Sequence, residues 1–397
     1  MRICLISREY PPDTGWGGIG AYTFQHAKAL QELGHDVEVI ALTAADVDVD
    51  PPPACPNGVT VHRAPWNKLL LELGTVWISL PYSHYVLKCG LALWRKFLEV
   101  HTQRPFDVTE APEHLAEALF PALTGVCPLV VRLHTPHSKF IVERYHNLSP
   151  SFDQNLVAVL ERMPMLEADV LSSPSEDLAD YVATDCGSNR NDICIVRNPV
   201  DANKFTPDGP KALAENGKIK IFFAGRLEER KGITHLLAAI PKVLQHSANV
   251  EFIVVGADTM TGPGKTSVLA ALKQQLSAAG CAESVHFVSH VALNEMPQYY
   301  RCADICVVPS LYENAPYTVL EAMATGKPVV GSSAGGTKEY IVHGSTGLVV
   351  PPADPDAIAA ALIKLIDDKE MRLQFGRNGR QRVMDSFDFF VNDRETT

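Results

Sequence analysis

The chain has 397 residues, enough for two or three domains of ordinary size, and 46% of them are hydrophobic. The formal net charge of −11 argues against a nucleic-acid partner, which usually requires a basic surface. No apolar stretch reaches the length of about 18 residues that a membrane-spanning helix needs. The nine cysteines contain no C-x-x-C pair, which predicts free thiols and a cytoplasmic protein.

Short apolar runs alternate with helical patterns in the N-terminal half. Buried strands are predicted at four of these runs, residues 2–7, 36–42, 129–133 and 168–173. Continuous apolar runs separated by helices indicate parallel strands with both faces covered, and therefore a doubly wound α/β domain at 1–200. The stretch 76–100 is predicted to be helical after Pro81. Its aromatic and basic side chains favour either a weak peripheral membrane contact or ordinary packing on the domain.

A second series of strands follows a linker. The linker is predicted at 197–218, where prolines, asparagines and glycine replace apolar periodicity. The second series lies at 218–225, 250–256, 285–289, 304–310 and 328–332. It predicts a second doubly wound α/β domain at 201–375.

Two glycine-rich motifs partly match known nucleotide-binding patterns but do not fulfil them. Residues 15–20, GWGGIG, match G-x-G-x-x-G, but the segment REYPPDT separates them from the first strand, and no acidic residue stands at the end of the next strand. Residues 262–267, GPGKTS, lack the first glycine of a phosphate-binding P-loop, because Thr259 occupies its place. These departures argue against a nicotinamide cofactor and against a P-loop.

Several charged or flexible residues follow predicted strands. Gly17 and Gly18 precede a predicted helix, where they suit either a phosphate or a tight turn. Arg226 and Lys231 follow the first strand of the second domain, which is typical of a diphosphate site, although an ion pair with Glu228 or Glu229 is the alternative.

Three further candidate site residues also come after predicted strands. Glu313 follows the run at 304–310, and Glu321 falls on a helix whose first turn is predicted to include Pro316. Ionised carboxylates bind sugar hydroxyls strongly, so the pair suits a ligand with two polyols joined by a diphosphate, which is a nucleotide sugar. His134 ends another strand and is either a site residue or a structural histidine.

Three stretches together resemble the retaining glycosyltransferases of family 4. They are residues 8–42, the segment AGRLEERKG at 224–232, and the segment PSLYENAPYTVLEAMATGKPVVGSSAGGTKEYIVHGSTGLVVPP at 309–352. The E-x₇-E spacing with GGTKE downstream is the most specific part. Where the family often continues Glu-Gly-Phe-Gly, this sequence has Glu313-Asn314-Ala315-Pro316, so the resemblance does not imply which sugar is bound.

The resemblance implies the GT-B fold, with two Rossmann-like doubly wound parallel-sheet domains facing across a cleft and a C-terminal helix, 376–397, that returns toward the first domain. It implies that Arg226 and Lys231 bind the donor diphosphate and that Glu321 binds the ribose. The donor sugar would be held by Glu313 together with backbone N–H groups of Asn314, Ala315, Pro316 and Tyr317, of which the proline can offer none. Gly17 and Gly18 would contact the phosphate, and His134 the sugar near its anomeric carbon.

The implied activity is a metal-independent, retaining transfer of a hexosyl unit from a nucleotide-diphosphate sugar to an acceptor hydroxyl, without a cofactor. The donor is expected to be UDP-linked, with a GDP-linked donor as the alternative. Two other functions stay open: an epimerase or hydrolase that needs no acceptor, and a catalytically silent protein that binds the nucleotide sugar. The acceptor is a small metabolite, a glycan or a lipid-linked glycan, and Glu110, His114 and His137 are its candidate contacts.

Overall fold

The computed structural model describes residues 1–11, 14, 17–44, 58–66, 79–144, 150–289 and 291–389. The chain divides into two compact units at the Pro199–Val200 bond, which lies within the segment predicted as a linker. We call the units the N-terminal and the C-terminal domain. All eight cysteines in the described ranges are free thiols, as the sequence predicts, and Cys55 lies outside those ranges.

The N-terminal domain contains a seven-stranded parallel sheet with the strand order β3-β2-β1-β4-β5-β6-β7. Its strands are β1 Arg2–Ile6, β2 Asp36–Leu42, β3 Thr60–Ala64, β4 Val108–Pro112, β5 Leu129–Arg132, β6 Val170–Ser173 and β7 Ile193–Ile195. Its described helices are α1 Gly18–Glu32, α2 Pro81–Gln103, α3 Leu119–Thr124, α4 His137–Arg144, α5 Phe152–Glu167 and α6 Glu176–Cys186.

The C-terminal domain repeats this plan with a six-stranded parallel sheet, in the order β10-β9-β8-β11-β12-β13. Its strands are β8 Ile219–Ala224, β9 Val250–Val255, β10 Val285–Val288, β11 Ile305–Val308, β12 Val329–Ser332 and β13 Gly347–Val350. Its described helices are α7 Ile233–His246, α8 Val268–Ala278, α9 Met296–Cys302, α10 Tyr317–Ala324, α11 Thr337–Tyr340, α12 Pro355–Asp367 and α13 Lys369–Ser386.

Nine predicted strands are confirmed, each within two residues at both ends. Four strands, β3, β4, β7 and β13, were not predicted. Their sequences TVHRA, VTEAP, ICI and GLVV are short, and two of them include charged residues. Their pairing with neighbouring parallel strands, rather than their own composition, places them in the sheets.

The helix predicted after Pro81 is confirmed as α2, whose first residue is Pro81. A proline suits this position because its missing N–H would have no helical partner there. Trp94 and Phe97 stack on each other and lie in the core, and the buried Lys96 pairs with Glu99. These aromatic side chains therefore pack on the domain rather than on a membrane surface. No described helix is both long and apolar enough to span a bilayer.

The described part of the segment 376–397 belongs to a longer helix. Helix α13 begins at Lys369, is capped by the Asp368 side chain, and packs against α10 and α12. Gly379 of α13 lies against Met323, where an added Cβ would come within 3.2 Å of that side chain. The helix thus completes the C-terminal domain.

Candidate functional site

The order of the C-terminal sheet reverses between β8 and β11, which are neighbours. Open α/β sheets bind ligands outside the carboxyl ends of the strands at such a switch point. Arg226, Arg230 and Lys231 follow β8, and Glu313 follows β11. The topology therefore brings cations and a carboxylate, distant in sequence, to one edge of the sheet.

The side chains at this edge form a connected ionic network. Lys231 Nζ donates to Glu313 Oε1, and Arg230 Nη1 lies 3.1 Å from the same oxygen. Arg230 Nη2 lies 3.0 Å from Glu228 Oε1, and Arg226 Nη2 lies 3.3 Å from it. Glu228 and Glu313 are thus joined through Arg230. Arg226 is the most exposed of the three cations, with 66% of its side chain accessible.

Two glycines permit the close backbone contacts that hold this network. Gly232 has φ +70°, and a Cβ there would lie 1.9 Å from the carbonyl oxygen of Pro309. Gly335 has φ +60°, and its Cβ would lie 2.3 Å from the carbonyl oxygen of Glu313. Any other side chain would push these loops apart. The GGTKE segment, which contains Gly335, therefore has a direct structural role beside Glu313.

The two glutamates of the E-x₇-E pair have different protonation properties. Burial raises the pKa of Glu313, but the charges of Lys231 and Arg230 outweigh it and hold the pKa below its usual value. Burial raises the pKa of Glu321 to about 7, although a hydrogen bond from Tyr300 Oη (2.7 Å) opposes the rise. Glu313 is therefore ionised at neutral pH, whereas Glu321 titrates there.

The segment between the two glutamates leads into α10. Pro316 is the N-cap residue, one position before the helix rather than inside its first turn as predicted, and Tyr317 is the first helical residue. No side chain caps this end. Glu321 lies in the second turn, as the sequence predicts.

The N-terminal sheet has its own switch point between β1 and β4. Gly17 is the N-cap of α1 and Gly18 its first residue, and no side chain caps this helix either. A Cβ on Gly18 would have no atom within 4 Å, so the space beside it is open. As a glycine, Gly17 offers the first N–H groups of α1 no side-chain acceptor of its own.

His134 lies two residues beyond β5. Its backbone N–H donates to both carboxylate oxygens of Glu113, at 2.9 Å each, and its ring meets the edge of Tyr22 at 5.2 Å. Burial, followed by the charges of Arg132 and His114, holds the pKa of His134 well below its usual value. The imidazole is therefore neutral at physiological pH.

The three candidate acceptor contacts lie within the N-terminal domain. Glu110 is on β4, where it accepts a hydrogen bond from Tyr22 Oη (3.0 Å) and lies 3.6 Å from His26 Nε2. His137 begins α4 and is 5% exposed. Burial lowers the pKa of His114 to about 4, with a smaller effect from the charge of Arg8.

Four charged residues near the candidate site residues were not predicted from the sequence. Arg230 had the same signal as Lys231, namely a cation just after β8, and was overlooked. Glu113, Glu117 and Glu161 are buried in the N-terminal domain, at 2% exposure or less, but their sequence context is that of surface charges. Among the residues that the structure describes, no group of three or more His, Cys, Asp or Glu side chains could hold a metal ion.

The buried carboxyls predict that stability falls as the pH rises from 6 to 8.5. Burial raises the pKa of Glu113 to about 7 and that of Glu117 to about 8, whereas the ordinary value is 4.5. Between pH 4.5 and the folded pKa, the unfolded chain has released protons that the folded protein still holds. The free energy of unfolding therefore falls progressively as the pH rises through this range. Each unit of difference between the folded and the unfolded pKa corresponds to ~1.4 kcal/mol, so the free energy of unfolding is expected to fall by about a few kcal/mol over this range.

Thermal melting between pH 6 and 8.5 measures this effect. Glu117→Gln removes one titrating group and should flatten the fall in Tm with pH. An unchanged slope in this variant would contradict the assignment of a raised pKa to Glu117.

Comparison with known proteins agrees with this architecture. Residues 16–204 match the family model described as Glycosyltransferase Family 4, and residues 206–382 match the model described as Glycosyl transferases group 1. Glycogen synthase of Mycobacterium tuberculosis is 28% identical to this chain, over 98% of the chain and 92% of its own length.

Two solved structures share the fold over the whole chain. Sucrose-phosphate synthase from Thermosynechococcus elongatus matches with a TM-score of 0.80 at 22% identity, covering 100% of this chain and 97% of its own. Anabaena HepE in complex with UDP-glucose matches with a TM-score of 0.70 at 19% identity, covering 100% and 98%. With two Rossmann-like domains of this topology and a family model matching each of them, the chain belongs to the family 4 glycosyltransferases of GT-B fold.

Proposed function

We propose that the protein transfers a hexosyl unit from a nucleotide-diphosphate sugar to an acceptor hydroxyl, with retention of the anomeric configuration. The observation that carries this proposal is the network at the switch point of the C-terminal sheet, where Lys231 and Arg230 contact Glu313. A diphosphate requires cations, and a sugar hydroxyl is bound strongly by an ionised carboxylate. A nucleotide sugar presents both groups side by side.

Each part of the donor has a partner in this proposal. Arg226 and Lys231 bind the diphosphate, the first through a planar fork and the second as a compact charge. Glu321 binds the ribose hydroxyls. Glu313 holds the transferred sugar together with the N–H groups at the uncapped start of α10, those of Asn314, Ala315 and Tyr317.

The donor is UDP-linked in this proposal, with a GDP-linked donor as the alternative. The support for UDP is the likeness of the fold to HepE, whose structure contains UDP-glucose. The side chains that we assign to the diphosphate and the ribose contact groups that all nucleotide sugars share. These contacts therefore favour nucleotide sugars as a class of donor. The base and the sugar have to be identified by experiment.

The N-terminal domain contributes Gly17, Gly18 and His134 in this proposal. The N-terminus of α1, which has no N-cap side chain, favours a phosphate oxygen, because its first N–H groups and the helix dipole both attract negative charge. His134 contacts the donor sugar as a neutral imidazole, so it adds no positive charge beside a ring on which positive charge develops. The acceptor contacts at Glu110, His114 and His137 stay predictions.

In the transfer step the acceptor oxygen forms a bond to the anomeric carbon while the bond from that carbon to the diphosphate oxygen breaks. The proton of the acceptor hydroxyl passes to the leaving diphosphate oxygen. The new bond forms on the face from which the nucleotide departs, which retains the configuration. Lys231 and Arg226 stabilise the charge that develops on the diphosphate, so we propose that the reaction needs no metal ion.

A panel of donors in EDTA tests the proposal. UDP-glucose, GDP-mannose and ADP-glucose are each incubated with the protein, with and without mixtures of sugar and polyol acceptors, and the products are identified by NMR. We expect acceptor-dependent release of one nucleoside diphosphate and a product with the donor's anomeric configuration. An inverted product, or activity that appears only when magnesium or manganese is added, would contradict retention or metal independence.

The arms without acceptor distinguish the alternatives. A free sugar or an epimerised donor in these arms would favour a hydrolase or an epimerase. Thermal stabilisation by a nucleotide sugar without turnover of any donor would favour a silent binding protein. If no nucleoside diphosphate stabilises the protein against thermal unfolding, the proposed donor site is wrong.

A further inference from the structure

The loops after β4 and β5 meet at one buried carboxylate. The two strands are parallel neighbours in which Pro112 is paired with Arg132, so their carboxyl ends are adjacent. Glu113 comes directly after β4 and is fully buried. Its two carboxylate oxygens each accept the backbone N–H of His134 at 2.9 Å, across the gap between the loops.

The carboxylate of Glu113 is surrounded by backbone donors. It accepts the N–H of His134 in the loop after β5, and the nearby N–H groups of Thr135, His114 and Glu113 itself also lower its pKa. Burying an ionisable group without partners is costly, whereas several N–H donors compensate it. Glu113 lies in the loop after β4 and its donor His134 in the loop after β5, so this contact links the two loops.

A second buried carboxylate links the same loops from the side of α5. Glu161 is fully buried, and it accepts the N–H of Leu115 at 2.6 Å and the N–H of His137. Leu115 and Ala116 have φ values of +50° and +52°, which non-glycine residues rarely adopt. The loop after β4 therefore has an unfavourable backbone conformation that these hydrogen bonds help to maintain.

We infer that Glu113 is a positioning residue for the transfer reaction, because it fixes the backbone of the loop that carries His134. The inference rests on the proposed function, in which His134 contacts the donor sugar. Glu113 acts through that loop and does not touch the substrate. A shift of about 1 Å in a group beside the reacting centre can lower the rate by as much as ~10²-fold, so a change in this loop should affect turnover more than binding.

The test compares two variants that each remove one carboxylate from the same buried region. Glu113→Gln keeps the volume but places an amide NH₂ among N–H donors. Glu117→Gln is the matched control, because Glu117 accepts the N–H of Arg8 (2.8 Å) and has no bond to the His134 loop. We expect Glu113→Gln to lower kcat by ~10-fold to 10²-fold, with the donor KM and the Kd for UDP within about twofold of wild type. Glu117→Gln should keep kcat within about twofold.

Equal kcat values for Glu113→Gln and Glu117→Gln would overturn the inference. So would a Glu113→Gln variant that loses activity only through a raised donor KM, since that result would indicate direct binding. If Glu113→Gln has no cooperative melting transition, Glu161→Gln replaces it, because it loosens the same loops through His137 and Leu115. A kcat of Glu161→Gln equal to that of Glu117→Gln would then overturn the inference.

The wild-type protein separates failure of this inference from failure of the proposed function. If the wild type neither binds UDP nor turns over any nucleotide sugar, the proposed function is wrong, and the inference, which depends on it, is wrong as well. If the wild type is active and the two glutamine variants behave alike, only the positioning role of Glu113 is wrong.

Discussion

Lys231→Ala should lower kcat with saturating donor by ~10²-fold or more, which corresponds to the loss of one donor that stabilises charge in the transition state. The side chain follows β8 at the switch point of the sheet and contacts Glu313. Its removal takes away a cation that we assign to the leaving diphosphate, and it leaves Glu313 with Arg230 as its neighbouring cation. Steady-state kinetics with the donor found in the panel measure the effect.

Lys242→Ala is the matched control for this variant. Lys242 lies on α7 of the same domain and pairs with the exposed Asp356 at 3.1 Å. Exposed ion pairs contribute little to stability, so this variant should keep both the wild-type rate and the wild-type Tm. We expect Arg226→Ala to resemble Lys231→Ala. If Lys231→Ala and Arg226→Ala both keep the wild-type rate while they melt normally, the diphosphate assignment is wrong.

Glu313→Gln and Glu321→Gln should differ in which kinetic constant they change. Glu313 is assigned to the reacting sugar, so Glu313→Gln should lower kcat by ~10²-fold with a smaller change in donor KM. Glu321 is assigned to the ribose, which binds alike in the ground state and the transition state. Glu321→Gln should therefore raise donor KM by ~10-fold, the equivalent of one hydrogen bond to a charged group, with little change in kcat.

The pH dependence of Glu321→Gln gives a second readout. Because the pKa of Glu321 is raised to about 7, the wild-type side chain is mostly protonated at pH 6 and mostly ionised at pH 8. The protonated acid resembles glutamine, so the ratio of variant to wild-type KM should grow from pH 6 to pH 8. Glu313 has a lowered pKa, so the kcat defect of Glu313→Gln should not follow this trend.

The opposite assignment of kcat and KM effects would mean that the two glutamates contact the other ends of the donor. If neither variant changes either constant, both residues are structural, and the nucleotide-sugar proposal loses its main support. Tyr300 Oη can donate to a glutamine oxygen as it does to Glu321, so Glu321→Gln should retain this contact and fold normally.

The sequence alone predicted the fold class and much of the strand order along the chain, because a strand buried on both faces must be a continuous apolar run. Runs such as IKIFFA of β8 and VEFIVV of β9 cannot be placed elsewhere without exposing apolar surface. The positions of Lys231 and Glu313 just after such runs were equally visible, since parallel strands bring their carboxyl ends to one edge.

Only the tertiary structure decided which of these residues meet and in what charge state. Strand β4, with the sequence VTEAP, is placed by its neighbours β1 and β5, and this placement sets Glu113 against His134. The sequence does not distinguish a glutamate that is buried in the core from one that is exposed on the surface. Its pKa, and therefore its role, depends on burial and on partners far along the chain, such as Arg230 for Glu313 and backbone N–H groups for Glu113.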